Sequence, residues 1–258
     1  MLGKLLKYEL KSSAKFFVPI YFAILAITTL NSIFMRKNLF VEAQVIINMV
    51  VGALFIALIT LTVVIIVKRF KKNLLGNEGY LMFTLPVSSS KLILSKYISA
   101  LIWIFLTIIV TMMAVMIYSN GIFGDGTQFS ISNIMIPGNK LVENNQYLIM
   151  IVSVIGLILS AISIVVFVIY NSIAIAQLPI FTKHKTIVSI ISFFVIGKFV
   201  NIIYDLIDKV TIRPNISNLE FTQAFTKVTS LGILENIFIV IILFICLNYT
   251  LNKKLNLD

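Results

Sequence analysis

The stretch VIINMVVGALFIALITLTVVIIV, residues Val45–Val67, contains no charged side chain and decides the fold. The hydrocarbon core of a bilayer is about 30 Å thick, and roughly 20 helical residues cross it. Strands of a membrane barrel alternate polar and apolar residues over about ten positions, which this run does not do. Because a helix satisfies its own backbone hydrogen bonds in lipid, the stretch predicts a transmembrane helix.

Stretches of the same kind recur along the 258-residue chain, in which 59% of residues are hydrophobic and only 12% are charged. A soluble fold of this size has too little interior to hide so much apolar surface. The pattern predicts an all-α integral membrane protein, with residues 1–258 forming a single transmembrane domain. Its six predicted spans are Phe16–Phe34, Val45–Val67, Tyr97–Tyr118, Leu148–Tyr170, Ile187–Tyr204 and Ile233–Leu251.

The basic residues predict the orientation. An even number of spans puts both termini on one side, together with the segments Lys68–Lys96 and Asn171–Thr186. That side holds fourteen of the 21 basic residues, and the positive-inside rule therefore predicts that both termini are cytoplasmic. The net charge of +11 follows largely from this bias. Because no basic patch is interleaved with solvent-facing aromatic residues, no nucleic-acid partner is expected.

Residues 1–15 predict an amphipathic helix at the membrane interface. Leucines share one helical face, and Lys4, Lys7, Lys11 and Lys15 share another. A basic stripe opposite leucines is typical of helices that lie on the cytoplasmic membrane surface. The alternative is that these lysines are the ordinary positive flank of the first span.

The cytoplasmic loop at residues 68–96 contains a compact apolar run between helix breakers. Gly79 precedes the run Tyr80–Leu85, and Pro86 ends it because proline disfavours helix at the residue before it. Ser88–Ser90 can cap a new helix that continues into the third span. The pattern predicts a short apolar helix, which either folds against the membrane face or docks into a cytoplasmic partner.

Two stretches resemble bacterial ABC-2 type transporter permeases. The first is EGYLMFTLPVS at Glu78–Ser88, followed by Lys91–Lys96, and the second is LGKLLKYELK at Leu2–Lys11. The resemblance also covers the six-span topology. It implies a permease that pairs with a second permease copy or paralogue in the bacterial plasma membrane, and with two copies of a cytoplasmic ABC ATPase. The coupling helix to that ATPase maps onto Glu78, Gly79, Tyr80, Leu81, Met82, Phe83, Thr84, Leu85 and Pro86.

The expected function is therefore that of the transmembrane subunit of an ATP-driven exporter. ATP and Mg would be bound by the partner ATPase, since this chain has neither a phosphate-binding loop motif nor a His-Glu-x-x-His zinc motif. We expect the chain itself to be no enzyme and to hold no cofactor or metal. Because few charges lie in the spans, the expected cargo is hydrophobic or amphipathic, such as a peptide, a lipid or a drug-like compound.

Other functions remain as alternatives at this stage. An ion-coupled secondary transporter typically carries acidic residues deep in its spans, and none occurs here. An intramembrane enzyme would show clustered His, Glu or Asp at membrane depth. A non-transporting membrane scaffold is a further alternative, against which the sequence holds no specific feature.

Lys198 is the one charge well inside a predicted span. A charge at the bilayer centre costs about 2.5–3.5 kcal/mol on insertion scales. Its long stem can carry the ammonium group toward the interface, which is one interpretation. The other is an ion pair with Glu235, near the external end of the sixth span, that ties the last two helices together.

Overall fold

The structure, a computed structural model, describes residues 2–37, 44–75, 88–123, 145–181, 184–210 and 221–253. Every regular element in these ranges is a helix. In chain order the helices are α1 Leu2–Arg36, α2 Gln44–Leu75, α3 Ser89–Phe123, α4 Asn145–Ile175, α5 Lys185–Val210 and α6 Phe221–Lys253.

All six helices are long and apolar enough to cross a membrane. Each of them contains one of the apolar stretches quoted above, in the predicted order. The coarse prediction of an all-helical fold with six candidate spans is therefore confirmed.

The helices are longer than the apolar runs that predicted them. α5 continues past Tyr204 to Val210, and α6 begins at Phe221 rather than at Ile233. Backbone hydrogen bonding does not stop where the side chains become polar, because polar side chains at a membrane surface are solvated by water and headgroups. Much of the predicted external segment Asp205–Gly232 is consequently helix, and only residues 211–220 separate α5 from α6.

Two further helices were predicted outside the spans, and the described residues include only the first of them. Leu2–Lys15 is helical, but it is the first part of α1, which continues through Pro19 to Arg36. A separate helix lying in the interface therefore stays a prediction. The predicted coupling helix Glu78–Pro86 lies outside the described residues. Ser88 directly precedes α3, and its carbonyl oxygen accepts the Lys91 amide at 2.9 Å, while capping by its side chain stays a prediction.

The chain divides into two compact units. The first comprises α1, α2 as far as Lys68 and α3 from Ile98 onward, and the second comprises the remaining ends of α2 and α3 together with α4, α5 and α6. α2 and α3 thus contribute to both units. The prediction of a single domain is not tested by this division.

The first unit is held by an aromatic cluster between its three helices. Phe17 of α1 stacks on Trp103 of α3, with ring centroids 4.5 Å apart and planes 9° from parallel. Leu58 of α2 is buried in the same cluster. The Tyr21 hydroxyl donates to the Trp103 carbonyl oxygen at 3.1 Å and lies 2.6 Å from the hydroxyl of Thr107. This mixture of stacking and hydrogen bonding suits lipid, where apolar burial alone gives helices little reason to associate.

Away from the aromatic cluster, hydrogen bonds between polar side chains join α1 to α2, and a glycine of α3 lies close to α1. Asn31 donates from its amide nitrogen to Asn48 at 3.2 Å and accepts from Gln44 at 3.0 Å. A Cβ atom placed on Gly121 of α3 would lie 2.8 Å from the Cα atom of Ser32. Only glycine therefore allows α1 and α3 to approach this closely.

In the second unit α4 packs mainly on α6 and also on α5. Small residues of α4 lie at this interface. A Cβ atom on Gly156 would lie 3.1 Å from Ile233 of α6, and Thr229 of α6 donates to Ser153 at 3.0 Å. In α2, by contrast, Gly52 is exposed, and a Cβ atom placed on it would meet nothing within 4 Å.

Candidate functional site

The ends of helices α2 and α3 that flank residues 76–87 converge on α4. Phe70 of α2 is fully buried and stacks on Tyr170 of α4, with ring centroids 3.9 Å apart and planes 10° from parallel. The Tyr170 hydroxyl donates to the carbonyl oxygen of Lys96 in α3 at 3.3 Å. One buried tyrosine therefore contacts both chain segments that lead into and out of the predicted coupling helix.

A second aromatic pair strengthens this arrangement. The Tyr97 ring packs against Phe167 at a centroid distance of 4.7 Å, and its hydroxyl donates to Ser163 at 2.6 Å. Phe167 meets Tyr170 edge to face. We call Phe70, Lys96, Tyr97, Phe167 and Tyr170 the flank cluster. Because its aromatic members are large and well packed, movement of either flank must displace α4 or break these contacts.

The first turn of α3 is also tied to the last turns of α6. Ser90 donates to the side-chain oxygen of Asn248 at 3.3 Å, and Ser89 forms a second hydrogen bond with Asn252. The first part of α3 is thus anchored both to α4, through the flank cluster, and to α6.

Side chains of α5 form an exposed polar face that runs from the middle of the helix to the end of the predicted span. Lys198 lies near the midpoint of α5, about 20 Å from its first residue at helical rise. Asn201 and Asp205 follow at steps of three and four, so all three residues share one helical face. All three are exposed in the single chain. A charged side chain such as Lys198 costs about 2.5–3.5 kcal/mol when it is exposed to hydrocarbon at the bilayer centre.

Hydrogen bonds between α4, α5 and α6 fix the register of these helices. Asn236 of α6 donates to Ser160 of α4 at 2.8 Å and accepts a hydrogen bond from Tyr204 of α5. Farther along, Asn171 of α4 donates to the carbonyl oxygen of Leu243 at 3.0 Å. Such bonds contribute on average about 0.6 kcal/mol each within a membrane. They determine which α5 residues lie opposite which α6 residues.

This register bears on the predicted pair of Lys198 and Glu235. Because Tyr204 lies opposite Asn236, Glu235 lies near the level of Asp205. Lys198 lies about 9 Å from Tyr204 along the α5 axis, toward the beginning of the helix. Lys198 is exposed and Glu235 is half-buried. An ion pair would require the lysine to extend along the helix, and it stays a prediction.

We expect a double-mutant cycle to detect a direct interaction between Lys198 and Glu235. If Lys198 and Glu235 interact, Lys198→Glu and Glu235→Lys each lower the midpoint of thermal unfolding, and the exchanged double variant recovers part of the loss. A coupling energy of about 0.5–3 kcal/mol is typical of residues in direct contact. Lys209→Glu, at an exposed position near the end of α5, is the matched control. Additive effects of the two substitutions would contradict direct pairing.

The predicted site residues are only partly brought together. Lys4, Lys7, Lys11 and Lys15 are exposed along α1 and remote in sequence from the flank cluster. Sequence reasoning did not assign Phe70, Tyr170, Asn171 or Asn236. Two features of the sequence could have indicated these residues. Phe70 is an aromatic residue within the basic run Lys68–Lys72, and both asparagines interrupt strongly apolar stretches.

Within the described ranges, no three His, Cys, Asp or Glu side chains gather closely enough to hold a metal ion. Comparison of the chain with protein-family models, with curated proteins and with solved structures gave no match. The described residues form six helices that are long and apolar enough to cross a membrane, and this places the chain in that class of helical proteins.

Proposed function

We propose that this chain is the permease subunit of an ATP-driven ABC exporter of the ABC-2 type, and that a separate ATPase supplies the energy. The observation that carries the proposal is the flank cluster. The ends of α2 and α3 on either side of residues 76–87, which contain the stretch resembling a coupling helix, contact α4 through Phe70 and Lys96. A force applied to this segment by a partner would therefore reach a helix at the centre of the second unit.

The proposed coupling has a direct physical route. The segment precedes Ser89, whose helix is hydrogen-bonded to α6 through Asn248 and Asn252. α4 in turn packs on α5 and α6. Displacement of the segment would thus shift the three helices that carry most of the polar side chains of the second unit. Conversion between inward-facing and outward-facing states requires a rearrangement of this kind.

The exposed polar face of α5 fits the same proposal. Lys198 and Asn201 lie within the predicted span and need cover from water or protein there, whereas Asp205 lies just past its end. We propose that a second permease copy or paralogue lies against this side of the chain and that cargo passes along the interface. The surface of α5 also carries exposed apolar residues such as Phe194 and Phe199. This mixture favours a hydrophobic or amphipathic cargo that leaves the cell.

In this proposal the chain lies in the plasma membrane of a bacterium with both termini in the cytoplasm. The basic residues support that orientation, because fourteen of 21 lie on the side of the termini. ATP and Mg are bound by the ATPase partner. The role of this chain is to receive its motion through Glu78–Pro86 and to provide the path through the membrane.

The test is to purify the full-length protein with its native partners and to measure ATP hydrolysis. We expect an ATPase to co-purify, and Phe83→Asp to lower its co-purification or its cargo-stimulated activity by at least about tenfold. A charge buried at the docking surface readily costs the roughly 1.4 kcal/mol that a tenfold loss represents. Phe83→Leu, which keeps the side chain apolar, should retain most of the activity.

The possible results separate two parts of the proposal. Purification without any ATPase would contradict the exporter function and favour a secondary transporter or a scaffold. A co-purified ATPase that responds equally to Phe83→Asp and Phe83→Leu would contradict the position of the coupling helix while leaving the exporter function intact.

A further inference from the structure

One face of α1 changes from basic to apolar along its length. Lys4, Lys7, Lys11 and Lys15 are followed on the same face by Val18 and Phe22 at helical steps, and every one of these residues is exposed. The opposite face of α1 is buried in the first unit through Phe17, Tyr21 and Ile24. The lysines therefore continue the surface that faces lipid and point away from the core of the chain.

The length of α1 places each lysine relative to the bilayer. The residues from Phe16 to Met35 span about 30 Å as a helix, which matches the hydrocarbon thickness. Lys15 then lies at the boundary of the hydrocarbon. The headgroup layer adds roughly 5–7 Å on each side, which brings Lys11 to its outer part. Lys4 and Lys7 extend beyond it into water.

We propose that Lys11 and Lys15 form a binding site for the phosphate group of an anionic phospholipid, in the leaflet that surrounds the N-terminal part of α1. The two residues lie one helical turn apart on the same face, and the acyl chains of the same lipid can run along Val18 and Phe22. Lys4 and Lys7 attract the anionic surface from a distance and contribute less, because salt screens charges separated by more than about 8 Å.

The charge and surroundings of this face favour a lipid over a protein partner. The described residues from Lys4 to Lys15 include a single acid, Glu9, which is buried on the opposite side of the helix. Tyr8 is 72% exposed beside the lysines, and exposed tyrosines are enriched at membrane surfaces. A soluble acidic partner would leave the apolar continuation at Val18 and Phe22 without a role.

The test uses the full-length protein in mixed micelles that contain phosphatidylglycerol and phosphatidylcholine, with bound lipid measured by native mass spectrometry. We expect the wild type to retain phosphatidylglycerol preferentially. Each lysine at a membrane surface favours anionic lipid about fivefold, so Lys11→Gln with Lys15→Gln should lower the preference about 25-fold. Lys11→Arg with Lys15→Arg should preserve it, and added salt should weaken it in the wild type.

Two matched double variants complete the design. Lys4→Gln with Lys7→Gln should lower the preference by no more than about fivefold, since these residues lie beyond the headgroups. Lys209→Gln with Lys227→Gln removes the same charge from exposed positions of the second unit, where the two residues do not lie one turn apart, and should lower the preference by no more than about fivefold. The proposal is overturned if the Lys11 and Lys15 variant keeps the wild-type preference, or if either of the other pairs reduces it as strongly.

Discussion

Replacement of Tyr170 by alanine is expected to destabilise the protein by about 3 kcal/mol. Tyr170 is only 2% exposed, stacks on Phe70 and contacts Phe167. Truncation of a buried aromatic residue to alanine costs about 3–5 kcal/mol in water-soluble proteins. The lower end applies here, because lipid is as apolar as the side chain that is removed. Heating of the purified protein, followed by size-exclusion chromatography, should show a midpoint lowered by roughly 6–12 °C.

Two variants make the Tyr170 result specific to the flank cluster. Tyr170→Phe keeps the ring and removes the hydroxyl that donates to the Lys96 carbonyl oxygen, and loss of such a hydrogen bond costs about 0.6 kcal/mol. Tyr8→Ala changes a 72% exposed tyrosine and should alter stability by less than about 0.5 kcal/mol. If Tyr170→Ala unfolds at the same temperature as Tyr8→Ala, the flank cluster does not hold α2 and α3 to α4.

Substitution of alanine for glycine should give opposite results at different glycines. At Gly121 the new Cβ atom would lie 2.8 Å from the Cα atom of Ser32, and the backbone of α1 cannot move aside as a flexible side chain can. Overpacking of this kind costs about 1–3 kcal/mol. At Gly52 a Cβ atom meets nothing within 4 Å, so Gly52→Ala should gain up to about 1 kcal/mol of helix propensity.

Gly156→Ala is expected to fall between these two variants. Its new Cβ atom would lie 3.1 Å from the terminal carbon of Ile233, a side chain that can adjust its position. The same heating experiment on the three purified variants therefore has a predicted order of stability, with Gly52→Ala highest and Gly121→Ala lowest. A Gly121→Ala variant as stable as Gly52→Ala would contradict the close approach of α1 and α3.

Hydropathy predicted the spans well because it reports on the solvent that surrounds a helix. Val45–Val67 has no charge over the thickness of a bilayer, and α2 includes all of it. The ends were less accurate, because α6 runs from Phe221 through polar residues such as Gln223 before its apolar part. A helix end is determined by backbone hydrogen bonding and solvation, which the apolar run does not record.

Sequence patterns could not predict the contacts of the flank cluster. Phe70 and Tyr170 are about a hundred residues apart, and neither belongs to a periodic motif that marks it as a contact. The small residues of α2 illustrate the opposite problem. Gly52 has the spacing to its neighbours that is typical of helix interfaces, yet it is exposed in this chain. Spacing indicates which surfaces permit close approach, whereas the partner is decided by the tertiary fold.

The division of α2 and α3 between the two units also determines the order in which contacts can form during synthesis. α1, α2 and α3 are complete once Phe123 has been made, so the stacking of Phe17 on Trp103 needs nothing that follows. Phe70 and Tyr97 must wait for α4, and Ser90 must wait for Asn248 near the end of the chain. If synthesis stops before α6, the first unit can already be assembled. The first turn of α3 then still lacks its hydrogen bonds to α6.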